Sequence, residues 1–106
     1  MRVSAEKKIV AIAEFSIHPI GSGTSVSREV KAAIRAISRI PGLKIQVTPM
    51  ATILESSDIG TILKAVEASH SALRKLGSKR ISSTLRIDER RDKRRTMMDK
   101  LDSVAG

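Results

Sequence analysis

Cysteine, tryptophan and tyrosine are absent from this 106-residue chain, and Phe15 is its only aromatic residue. Without a thiol there is no disulfide, no thiolate metal site and no cysteine nucleophile, so stability has to come from packing or assembly. With one aromatic ring, the stacking platforms that single-stranded nucleic-acid readers place under bases cannot be built. The core must use Ile, Leu, Val, Ala and Met. No apolar run approaches the roughly 20 residues that cross a bilayer. The N-terminal MRVSAEKK leads into alternating residues rather than into an apolar leader with a small-residue cleavage site. These absences point to a cytoplasmic protein with no membrane contact, and the length suits one domain over residues 1–106.

Charge is what the chain has in excess. Twenty Lys and Arg against 11 Asp and Glu give a formal net charge of +9. Of the 20 bases, 11 lie between Arg74 and Lys100, densest at Arg86, Arg90, Arg91, Lys93, Arg94 and Arg95. Asp88, Glu89, Asp92 and Asp99 interrupt that run, which is the pattern of a solvated, ion-paired helix as much as of a phosphate-binding strip. A polyanion or nucleic-acid partner on this run is the alternative reading. A base reader is not expected, because an RNA-binding sheet needs an aromatic pair that this chain lacks.

Periodicity divides the chain into seven elements. Residues 8–18 alternate: Ile9, Ala11, Ala13, Phe15 and Ile17 make one apolar set, while Val10, Ile12, Glu14, Ser16 and His18 make a second that turns polar midway. A strand has no need of Glu14 at that position. Pro19, Gly21 and Gly23 break the strand. Ser25 then stands where an N-cap belongs, before a helical stripe of Val26, Val30, Ala33, Ile34, Ile37 and Ile40 that Pro41 and Gly42 end. Residues 43–48 and 50–55 read as a hairpin around Pro49. Asp58 caps a second helix with Ile59, Ile62, Leu63, Val66, Leu73 and Leu76 on one face, stopped by Gly77. Residues 80–88 alternate as a fourth strand. Residues 89–104 read as a charged helix whose narrow apolar side is Met97, Met98, Leu101 and Val104.

The order βαββαβ with a terminal helix, under right-handed crossovers, leads to a ferredoxin-like α+β fold: a split βαβ with sheet order 4-1-3-2 and both main helices on one face. On this reading the open face collects Glu14, Ser16 and His18, then Gln46 and Thr48, then Met50, Thr52 and Leu54, and finally Ser82, Thr84 and Arg86. A face that mixes apolar bodies, hydroxyls and opposite charges calls for a partner subunit or a ligand.

Signals for catalysis are weak. Residues 21–25, Gly-Ser-Gly-Thr-Ser, open a helix but lack the Walker lysine and the Rossmann spacing, so a capping turn is the better reading than an anion cradle. His70 falls between Val66 and Leu73 on an apolar stripe and reads as a hydrogen-bonded core histidine rather than a base. Two well-separated histidines make no metal set, and neither sits in a motif that places it against a nucleophile. An enzyme, a metal or a cofactor is not expected.

The segments EFSIHPIG with SVSREV, TPMATILE, HSALRKLG with KRISSTLRID, and RRDKRRTMMDKLDSV together resemble the small thiamine-binding-like family. Ala51 and Ser56 stand where that pattern has glycine, and His18 is bulkier than its usual residue. The resemblance implies non-enzymatic binding of thiamine or its hydroxymethylpyrimidine moiety at a subunit interface of a homodimer that assembles into a homotetramer. It implies a ligand set of Glu14, Ser16, His18, Thr48, Thr52, Thr84 and Arg86. Glu14 leads that set, since a carboxylate suits an aminopyrimidine and a cationic thiazolium. The competing reading pairs Glu14 with Arg86 to fix an interface.

Overall fold

The computed structural model describes residues 10–21, 23 and 25–105. The expected strand start at Lys8 and Ile9, and Ser22 and Thr24 of the glycine-rich loop, lie outside them. The chain forms β1 (Val10–Pro19), α1 (Ser27–Ile37), β2 (Lys44–Val47), β3 (Thr52–Ser56), α2 (Ile59–Lys75), β4 (Ile81–Arg90) and α3 (Met97–Ala105). One antiparallel sheet runs β2-β3-β1-β4, which is the expected 4-1-3-2 order read from its other edge, and the fold is ferredoxin-like.

Strand β1 is central because it alternates so strictly. Ala11, Ala13, Phe15 and Ile17 are buried against α1 and α2, where they meet Ala33, Ile37, Ile62, Ala65 and Leu73. Alanines at positions 11 and 13 of β1 and 33 and 65 of the helices let the layers approach closely, and the larger residues fill the gaps between them. Helix α2 begins as expected: the Asp58 carboxylate accepts the Gly60 amide at 2.9 Å. It ends at Gly77, whose φ of +93° belongs to the left-handed region that residues with a Cβ rarely adopt.

Four expectations need correction. Ser25 does not cap α1: the cap position is Val26, with no side-chain hydrogen bond. Leu63 is not an inner residue of α2; it is 51 % exposed, and Ala65 and Ser69 take the inner places.

The third correction concerns β3. It starts at Thr52, and its pairing with β1 sets Thr52 opposite Phe15 and Leu54 opposite Ala13. Directly opposed residues share a face, so Thr52 and Leu54 point toward the helices and not into the open face. Ile53 and Glu55 take the open side. Leu54 is fully buried.

The fourth concerns the C-terminal segment. Strand β4 continues to Arg90, and the helix starts only at Met97. Thr96 and Asp99 form a reciprocal cap there: the Thr96 hydroxyl accepts the Asp99 amide at 3.1 Å, and the Asp99 carboxylate accepts the Thr96 amide at 2.9 Å. That box fixes where the helix begins, whatever the charge pattern upstream of it.

The register separates two leucines that hydropathy alone treats alike. Leu54→Ala should lower stability by about 2–5 kcal/mol in urea unfolding, whereas Leu63→Ala should change it by no more than about 0.5 kcal/mol. Equal costs would contradict the pairing of β3 with β1.

Candidate ligand pocket and the open sheet face

The β2–β3 turn is closed by Thr48. Its hydroxyl donates to the Ala51 carbonyl at 2.6 Å and accepts the Ala51 amide at 3.1 Å, while its own amide reaches the same carbonyl at 2.9 Å. The turn thereby holds Pro49 and Met50 out at its tip, with Met50 88 % exposed. Behind the tip, between α1 and the end of β1, lies a cavity of about 150 Å³ walled by Phe15, Ile17, Val30, Ile34, Ile37 and Val47. An apolar cavity of roughly that volume takes up one benzene-sized ring.

Four hydroxyl residues border it: Ser16, Thr48, Thr52 and Ser69. Thr48 is committed to the turn, and Ser69 donates to the Ala65 carbonyl at 2.8 Å. The alternation of β1, with Phe15 and Ile17 buried, carries the Ser16 side chain to the opposite face. Thr52 remains. It is in register with Phe15, and among the described hydrogen bonds none involves its hydroxyl.

On the open face Glu14 stands directly opposite Arg86, Ser16 opposite Thr84 and His18 opposite Ser82. Glu14, His18, Thr84 and Arg86 are all exposed in the single chain. No ion pair within 4.0 Å joins Glu14 to Arg86 among the described residues. Both line a shallow groove with Ile12, Ile53, Asp88 and Lys100. The expected ligand set therefore divides: Thr48 and Thr52 at the cavity, the other residues on the open face, with Ser16 at the border of both.

One functional-looking acid escapes the sequence reading. Glu55, 5 % exposed, sits on the open side of β3, where its carboxylate accepts the Met97 amide at 2.8 Å and lies 3.8 Å from the Lys44 ammonium. It holds the N-terminus of α3 against the sheet, where the helix dipole favours an anion. Glu55 carries the same signal as Glu14, an acid inside an apolar strand.

The basic run at and beyond the end of β4 is compensated in part, with Arg91, Lys93, Arg94 and Arg95 in no ion pair among the described residues. Arg90 makes two hydrogen bonds to Asp92, at 2.7 and 3.0 Å, and these hold the Asp92 carboxyl down to about 2. Lys100 binds Asp88 at 2.9 Å and keeps its carboxyl below the ordinary range. Both pairs are exposed, so each contributes little to stability, but each neutralises a cation. His70 is half-buried and shares a 2.8 Å hydrogen bond with Ser83, in keeping with a structural histidine. No group of three His, Asp or Glu placed to hold a metal occurs among the described residues.

The sheet order, with two helices on one face and the other face uncovered in the single chain, defines a small ferredoxin-like α+β protein. The family described as thiamine-binding protein matches residues 13–105, and the chain belongs to it. It is 39 % identical over 93 residues to a UPF0045 protein of Methanothermobacter thermautotrophicus, covering 87 % of this chain and 93 % of that one. It is 42 % identical over 93 residues to a UPF0045 protein of Methanocaldococcus jannaschii, covering 88 % and 90 %. A crystal structure of a hypothetical protein from the latter organism superposes with a TM-score of 0.80 at 41 % identity, covering 91 % of this chain and 96 % of that one. A Thermotoga maritima protein provisionally assigned to thiamine biosynthesis or salvage shares the fold, with a TM-score of 0.75 at 22 % identity and coverage of 90 % and 98 %. Neither the family description nor the names of these relatives indicate a catalytic activity.

The Glu55 contact can be isolated. Glu55→Ala leaves the Met97 amide without its acceptor, so amide exchange should accelerate along α3 and stability should fall by about 1.5–3 kcal/mol, the range for hydrogen bonds to charged groups. Unchanged exchange in α3 would mean that another contact anchors the helix.

Proposed function

We propose that this protein binds thiamine or its hydroxymethylpyrimidine moiety without transforming it. The observation that carries the reading is the cavity of about 150 Å³ bordered by Thr52, whose hydroxyl is in none of the hydrogen bonds among the described residues. An aminopyrimidine presents ring nitrogens and an exocyclic amine around a flat apolar body. A largely apolar pocket with one free hydroxyl, able both to donate and to accept, suits that chemistry. The family description supports the choice of ligand. The thiazolium end would then lie toward the exposed hairpin tip at Met50.

Assembly belongs to the same proposal. Ile12 and Ile53 are half-buried on the open face, and Met98, Leu101 and Val104 of α3 are exposed large apolar residues. A second copy would cover them and would enclose Glu14 and Arg86 in the interface. We therefore propose a homodimer that assembles into a homotetramer. A second reading, in which the ligand reaches that interface and Glu14 offsets the thiazolium, draws on the exposed Glu14 carboxylate in the open groove, which is in no ion pair among the described residues.

Calorimetric titration with thiamine, hydroxymethylpyrimidine and thiamine phosphates tests the function, with an unrelated cation as control. Thr52→Val should weaken pyrimidine binding by about 0.5–1.5 kcal/mol, the value of one neutral hydrogen bond. Glu14→Gln should leave the affinity unchanged if the ligand stays in the cavity, and should weaken thiamine by about 1.5–3 kcal/mol if the site spans the interface. Absence of binding in the parent protein would refute the function. Light scattering should return a multimer at micromolar concentration, and a monomer would remove the interface.

A further inference from the structure

A group of cations in no ion pair among the described residues also lies on the helix layer, apart from Arg91, Lys93, Arg94 and Arg95 of the C-terminal run. Arg28, Lys31 and Arg35, spaced i, i+3 and i+7, share one face of α1 and line a shallow groove of about 360 Å³ with Ser27, Ala32 and Leu76. No acidic side chain lines this groove. The Arg28 guanidinium donates to the Leu76 carbonyl at 3.4 Å, which ties the end of α2 to the first turn of α1. The chain that follows carries Lys79 and Arg80, both exposed and, like Lys31 and Arg35, in no ion pair among the described residues.

Helix energetics account for Arg35, in the last turn of α1, but not for the arrangement as a whole. Arg74 and Lys75 sit in the last turn of α2, where cations favour the dipole. Arg28 sits in the first turn of α1, where the dipole opposes it, and three like charges along one face repel each other. An anionic partner would reverse both effects. The groove presents none of the exposed large apolar side chains, such as Leu63, Met50 or Met98, that a membrane-surface helix would insert. The chain also has no aromatic pair with which to stack bases.

We infer that this groove is a docking surface for the phosphate backbone of duplex nucleic acid, gripped by Arg28, Lys31 and Arg35 without reading sequence. Contacts of this kind are electrostatic and release counterions, so affinity falls with salt in proportion to the number of phosphates neutralised. The surface lies on the side of α1 away from the ligand cavity, so thiamine binding is independent of it.

The test is fluorescence anisotropy with labelled mixed-sequence duplexes of about 20 base pairs across roughly 50–200 mM salt. The parent protein should bind duplexes of unrelated sequence equally. A triple variant, Arg28→Ser with Lys31→Ser and Arg35→Ser, should lower the slope of log affinity against log salt by close to 3, about 0.9 per lost contact. The single Lys31→Ala, at an exposed position that cannot unfold the chain, should lower it by about 1. A control variant with Arg91, Lys93 and Arg94 changed to Ser should retain most of the slope. No duplex binding at about 50 mM salt, or equal losses in the control and groove variants, would overturn the proposal. So would binding to phosphatidylglycerol vesicles in place of duplexes.

Discussion

Everything in this protein depends on how β1 is paired. The strand is hydrogen-bonded on both sides, to β3 through Phe15↔Thr52 and Ala13↔Leu54, and to β4 through Glu14↔Arg86 and Ser16↔Thr84. Strict alternation then sends one set of side chains under the helices and the other to the open face, with no intermediate choice. A one-residue slip of β3 would carry Leu54 to solvent and Glu55 into the core, a double cost that fixes the register. The same pairing brings Thr52 beside Phe15 under α1, and so creates the cavity.

Where a short segment contained its own signals, the sequence was sufficient. The alternation around Phe15, the Asp58 cap and the Gly77 stop are local features, and they predicted the inner face of β1 and the two ends of α2. Sheet order followed from element order and handedness. The face of β3 did not, because Thr52-Ile-Leu-Glu-Ser is apolar on both sides of the alternation and only pairing with β1 decides which side is inner. The start of α3 was legible in principle from Thr96-Met-Met-Asp99, a capping box hidden behind a denser charge pattern. Glu55 was missed for a different reason. Its role as a cap depends on a helix 42 residues away along the chain, and no local pattern announces such a contact.

The candidate ligand set shows the same division between chemistry and placement. Thr52 was chosen for a hydroxyl on the open face; it lies on the other face, at the cavity, where its hydroxyl is in no hydrogen bond among the described residues. Glu14 stands out as an acid within an apolar strand; it is exposed in the single chain, on the face that the proposed second copy would cover. A fold of this type hosts many functions, so the ligand reading rests on Thr52 and the ring-sized cavity. Family membership adds weight to the ligand's identity, while the geometry decides where it would sit.

Net charge needs the same treatment, because +9 spread along a sequence says nothing about which cations are free. In the dense run around and after the end of β4, Asp92 neutralises Arg90 and Asp88 neutralises Lys100, while Arg91, Lys93, Arg94 and Arg95 are in no ion pair among the described residues. The charges on α1 look sparse because a helical face spaces them three and four residues apart. Arg28, Lys31 and Arg35 are brought into one groove by helix periodicity, and Lys79 and Arg80 are brought near it by the Arg28–Leu76 contact. What governs a polyanion's response is the density of unpaired charge on a surface. By that measure the α1 groove, on the helix layer opposite the polar face of the sheet, is a cationic surface in its own right, and a phosphate-bearing partner and a small-molecule ligand need not compete for the same ground.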